Sequence, residues 1–414
     1  MLPIAGFEVG LEFLNPNMSM MSEQVFTQLE TLAAESGVEA ALDYLADHFR
    51  ESGDFFQLFE ALKMKVRHQA GLPILYAAQP DDMPEATQRA LEDGLLEACR
   101  EVGTGLVQSG KLREGWMYIQ PLADRELSKK LVREFPVADD VLDDLIDITI
   151  AGGADPEFGY GLLLERYGTC NAITAYDTQV SQLDIGTQRQ LAVLLVQHLY
   201  SELTGNVRRH LKQAAEEKGE SDPTAELTDM GLGELIADRR WVFANGGHHI
   251  DTTHLASTVR IGRIVDDQAS LQMLLELTEY GNQLSPDFHY AGSAPFEKTY
   301  PDHLQYYSGL LDKNLERATR HLEQKAKSAA SDHDRYMAYH VLVDFLSRTG
   351  QSQQAIKVAT EQLLGTPDED SFQQPMAVPE VFGLAKNEAD FDQLREFYRQ
   401  RDDALGFAIG LLKP

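Results

Sequence analysis

Cysteine is almost absent from this chain: Cys99 and Cys170 are the only two in 414 residues. Neither has a second cysteine nearby, so a disulfide framework, a zinc knuckle and a paired-cysteine redox motif are excluded as organising devices. That usage predicts a reducing, cytoplasmic setting. Positive charge is scarce too, with 36 Lys and Arg against 66 Asp and Glu and a formal charge of -30. Such a surface repels phosphate backbones and anionic lipid alike, which sets aside nucleic acid and membrane as partners. No apolar run has the length needed to cross a bilayer, and the first seventeen residues lack the basic and apolar regions of a secretory signal. Alternation of apolar and polar residues between turn dipeptides, the mark of a sheet, is also nearly missing.

What the chain does have is helical periodicity. Val25, Phe26, Leu29, Leu32 and Ala33 form a 3.6-residue stripe behind Ser22, a fitting N-cap. Amphipathic segments follow at 38–50 and 55–69, separated by Ser52, Gly53 and Asp54. Pairs recur at 86–108 with 111–134, at 139–151 with 157–167, and at 186–203 with 205–218. The fold class expected is all-α. Polar breaks at 218–224, 285–301 and 365–379 suggest a flexible tail over 1–21, a helical-repeat region over 22–218, a central helical region over 225–330, and a C-terminal repeat region with its cap over 331–414.

The joints between helices share a device. Around one of them the chain places Gly103, Leu106, Gly110, Leu112, Gly115 and Ile119; around another, Leu342, Leu346, Gly350, Ala355, Ala359 and Pro367. Small residues stand where two helices must approach closely, and in the second a proline closes the unit. These spacings resemble the tetratricopeptide repeat, most closely over Tyr339 to Pro367, less closely over Cys99 to Leu122, where Gly115 takes a position that usually holds Ala. Around Gly53 the likeness is thinner, with Leu58 in the small-residue position. The resemblance covers about a third of the chain and implies an α-solenoid of antiparallel helical hairpins with an irregular central insertion. It concerns a folding device and not a chemistry.

Chemistry-bearing residues gather in that insertion. His248, His249, Asp251 and His254 lie within seven positions, behind the flexible pair Gly246 and Gly247. An Asp and a His three apart on a helix project to one side, as ligands do in helical metal sites. The four are therefore candidate ligands for a divalent metal, with a position left open for water. Two readings stay open, since Asp251 serves equally well as an N-cap for a helix from Thr253 to Val265. The segment 285–307 adds a long loop carrying His289, Tyr290, Glu297, Tyr300 and His303. Exposed aromatics are costly unless they pack or bind, so the loop should fold over a helical face. Folded onto the 248–254 junction it makes a ligand pocket; folded elsewhere it is a plug between repeats.

The leading functional expectation is a protein-interaction scaffold whose acidic helical groove receives a peptide or a basic partner. The alternative is a metal-dependent or ligand-binding protein using residues 248–254, completed by the 285–307 loop.

Overall fold

A computed structural model describes residues 23–75, 83–221, 223–364 and 376–412. The tail over 1–21, the expected cap Ser22, the closing Pro367 and most of the 365–379 break lie outside them. The described residues are all-α, with no strand among them and only an isolated bridge between Ala291 and Lys298. Two compact units divide the chain, Met1–Asp155 and Pro156–Pro414. The polar break at 218–224 therefore falls inside the second unit.

The first unit carries α1 (Glu23–Glu35), α2 (Val38–Ser52), α3 (Phe55–Gln69), α4 (Glu85–Gln108), α5 (Leu112–Ile119), α6 (Arg125–Glu134) and α7 (Leu142–Ile150). Neighbours in sequence pack as neighbours in space. The α2–α3 turn needs Gly53 at φ 70°, in the left-handed region, and Asp54 then caps α3 by accepting from the amide of Gln57. Ala46, Leu58, Ala61, Val102 and Leu106 form one buried cluster across α2, α3 and α4. Between α4 and α5 the backbones come close: a Cβ on Gly115 would stand 2.8 Å from the Gly103 carbonyl and 2.9 Å from the Val107 amide. The segment 111–134, expected as one helix, is instead α5, a 3₁₀ turn over Gln120–Leu122 and α6. Pro121 supplies no amide to the ladder, and Ala123 turns left-handed at φ 50°.

The second unit carries α8 (Pro156–Thr178), α9 (Ile185–Lys218), α10 (Thr224–Leu227), α11 (Leu232–Ile236), α12 (Thr252–Ile261), α13 (Gln268–Asn282), α14 (Thr299–Leu310), α15 (Leu315–Lys327), α16 (Asp332–Arg348), α17 (Ser352–Val358), α18 (Val378–Gly383), α19 (Glu388–Gln400) and α20 (Ala404–Leu412). Two glycines behave oppositely here. Gly168, at φ 80° and ψ 176°, breaks α8 in its middle. Gly205 keeps helical angles, so the hairpin expected at 186–218 is one 34-residue helix, α9. The reason lies in its apolar stripe: Leu191, Leu195, Leu199, Leu203, Val207 and Leu211 follow one another at four-residue spacing and are all buried, and that burial outweighs one glycine. Later helices pair through small residues again, with Gly281 against the Tyr300 ring and Gly309 against Ala318 and Phe345. No helix among the described residues is long and apolar enough to cross a membrane.

Candidate functional site

α12 begins at Thr252 and is capped by Asp251. One carboxylate oxygen accepts from the amides of Thr253 (2.8 Å) and His254 (3.2 Å) and from the Thr253 hydroxyl. These bonds, that of the hydroxyl foremost, hold the carboxyl below its ordinary range. His248 turns toward Phe288, ring centroids 5.0 Å apart, with Nδ1 at 3.1 Å from the Gly246 carbonyl. His249 turns to other neighbours: Nδ1 lies 2.8 Å from the Tyr280 hydroxyl and Nε2 lies 2.7 Å from Nδ1 of His210. Of the four residues expected as metal ligands, His248 and His249 thus find partners of their own, while Asp251 and His254 both line a cleft at the Gly168 break. Among the described residues no three His, Cys, Asp or Glu side chains are placed to hold a metal ion. The helix starts one residue after Asp251, so its carboxylate is committed to the cap and not to a shared ligand face.

Tyr280, His249 and His210 form a hydrogen-bonded chain with a definite proton order. The Tyr280 oxygen accepts from the His249 amide at 2.9 Å. With that oxygen already accepting, the Tyr280 hydroxyl donates to Nδ1 of His249, and the Nε2–H of His249 donates to Nδ1 of His210. Burial, then the proximity of His210 and His248, push His249 down to about 4, which keeps the His249 ring neutral near pH 7.

The 285–298 loop folds back on α12. Its tip closes on itself, with the Gly292 amide on the Glu297 carbonyl (3.2 Å), the Phe296 amide on the Ser293 carbonyl (2.8 Å), and a cis Ala294–Pro295 peptide. Only glycine fits at 292, where a Cβ would stand 2.3 Å from the Phe296 carbonyl oxygen. Two bonds fix the loop in place: the Thr299 hydroxyl donates to the Tyr290 carbonyl (2.6 Å), and the Tyr290 hydroxyl lies 2.8 Å from that of Thr252.

Loop and helix enclose a cleft of about 210 Å³. Of the five ligand candidates on this segment, Tyr290 and His303 line it. The other three do not. Tyr300 is fully buried against Gly281, His289 packs on the Tyr300 ring with centroids 5.4 Å apart, and Glu297 pairs with Lys325 at 2.6 Å.

Two arginines complete the cleft wall, and nothing in the sequence marked them. Arg260 makes a two-bond pair with Asp177, at 2.8 and 3.0 Å. Arg263 has no such partner: among the described residues no carboxylate lies within ion-pair distance. Its Nε donates to the Arg260 carbonyl at 2.9 Å, and its guanidinium carbon lies 4.9 Å from the Phe296 ring centroid. Burial pushes the guanidinium below its ordinary range, a direction that nearby Arg260 reinforces. The acids next in sequence are committed elsewhere, Asp266 to Arg189 at 3.1 Å and Asp267 to capping α13. His303 is 2% exposed and stacks on the same Phe296 ring at 4.1 Å. Its Nδ1 faces the Thr299 carbonyl and its Nε2 has no hydrogen-bond partner. Burial above all pushes this imidazole down to about 3.

A second, wider cleft of about 540 Å³ opens where Gly168 breaks α8, and His254, His198, Glu202 and the exposed Cys170 line it. His198 and Glu202 pair loosely at 3.9 Å. A scan against protein-family models finds no match, and no curated protein matches the chain.

Proposed function

We propose that the protein is a binding protein for a small anion, taken up in the cleft between α12 and the 289–299 loop. The observation that carries this reading is Arg263, a partly buried guanidinium without a carboxylate in a chain of net charge -30. Removing such a group from water is costly unless its charge is balanced. Although the chain carries 66 acids, none among the described residues stands at ion-pair distance from it, and none lines the cleft. Ser257 and Ser293, hydroxyl-bearing side chains, line the same cleft. Arg263 offers four remaining N–H donors in a planar fork suited to a carboxylate or phosphate. Calorimetric titration of the whole protein with inorganic phosphate and with short carboxylates, at matched ionic strength, is the test. Saturable binding that vanishes in Arg263→Gln is expected; no heat from any of these anions would sink the reading.

A second reading, a scaffold for a basic protein or peptide, is favoured by the paired helices α2 to α5 together with the net acidity, and it keeps the tetratricopeptide likeness as its frame. It predicts retention of basic partners that weakens steeply with salt. The same acidity supports setting nucleic acid aside, and the two free cysteines support a cytoplasmic setting.

A further inference from the structure

The anion-binding cleft contains a second unmet demand beside Arg263, and the following rests on that reading of it. The Thr299 carbonyl can only accept, so Nδ1 of His303 carries the imidazole proton and donates it there. Nε2 is then a bare lone pair, an acceptor with no donor in reach, on a residue that lines the cleft. A buried acceptor left unmet is costly, and this one belongs to a residue on the wall of the cleft that holds Arg263. Arg263 and His303 both lie against the Phe296 ring, at 4.9 and 4.1 Å from its centroid. Both residues line the one cleft.

We propose that the ligand is a small hydroxylated anion, its carboxylate or phosphate held by Arg263 and its hydroxyl donating to Nε2 of His303. An ammonium donor, as in an amino acid, fits worse. It would meet two arginines and not one acid among the cleft-lining residues, whereas a neutral hydroxyl brings a donor without a charge. A site built to pair a ligand hydroxyl also discriminates sharply against the analogue that lacks it, because its own buried group is then left unpaired.

Matched pairs test this on the full-length protein: glycerate against propionate, and glycerol phosphate against propyl phosphate. The hydroxylated member of a pair is expected to bind about tenfold tighter or better, and the carboxylate and phosphate pairs together tell which anion the site prefers. Nitrogen NMR of the histidine rings should show the Nε2 resonance of His303 moving with the hydroxylated ligand alone. His303→Phe, which keeps a ring stacked on Phe296, should bring the affinities of the two members of each pair to within about twofold of each other. Equal binding of both members, within about twofold, would overturn the hydroxyl requirement and leave the anion site standing. No binding by either member overturns both. Should His303→Phe fail to fold, the ring resonance of the unaltered protein still decides.

Discussion

The hairpins between Val38 and Ile119 and the insertion between 239 and 307 solve the same problem by different means. In the hairpins, small residues let backbones approach and apolar side chains such as Leu58, Val102 and Leu106 fill the space between. In the insertion the packing is aromatic and polar. Thr258, Ser270, His289, Tyr300 and His303 each keep a buried polar atom with no hydrogen-bond partner. Repetition removes polar groups from the core because a joint that works once works again. An insertion freed from the repeat holds buried polar groups and a guanidinium without a carboxylate, at a cost in stability.

Acidity should separate the two regions most strongly. His303 is neutral in the folded protein down to about 3, while its ordinary value is 6.5. The unfolded chain therefore binds the proton first, and stability falls as pH drops through the window from 6.5 to 3. Above 6.5 the residue contributes no slope. The loss reaches on the order of 4 kcal/mol at the acid end. Urea unfolding followed between pH 7 and 4.5 should show it together with a like contribution from His249, and His303→Phe should lessen the slope by about half; an unchanged slope would mean that the imidazole titrates normally.

The hairpin joints should break differently, by overpacking at any pH. Gly115→Ala places a methyl against backbone atoms of Gly103 and Val107 that cannot move aside. A loss of about 1–3 kcal/mol is expected by thermal or urea unfolding, and a neutral result would show that α4 and α5 are free to separate. At the insertion's edge, Asp251→Ala should cost about 1 kcal/mol through the lost cap, while Asp251→Asn, an equally good N-cap, should cost little. A metal ligand would behave otherwise, with both changes releasing bound metal. The smallest effect belongs to α9. Gly205→Ala meets nothing within 4 Å and should stabilise by about 0.5–1 kcal/mol, whereas a loss there would reveal a bend that the helix requires.

The fold class was legible because helical periodicity is local: each stripe, from Val25 to Ala33 or from Leu342 to Leu346, is written in adjacent turns. Gly53, Gly110 and Gly350 marked their joints correctly, all with positive φ. Gly205 misled because a glycine reads alike whether its surroundings bend the chain or hold it straight. The site was half legible. Tyr290 and His303 stood out as polar aromatics in a long loop, and both reach the cleft. For Asp251 the sequence left ligand and N-cap open, and its carboxylate is engaged in the cap. His249 was drawn toward Asp251 by proximity in sequence, yet its partners are His210 and Tyr280, 39 and 31 positions away.

By itself the sequence determined that this chain is helical, acidic and built largely of neighbouring pairs, since propensity, periodicity and turn residues act over a few positions. Only the tertiary structure decided which charges are spent. Arg260 and Arg263 differ by three residues in an apolar stretch, and the distinction between them rests on where Asp177 lies, 83 positions from Arg260. Charge balance is set by distance in space, and composition counts every arginine alike.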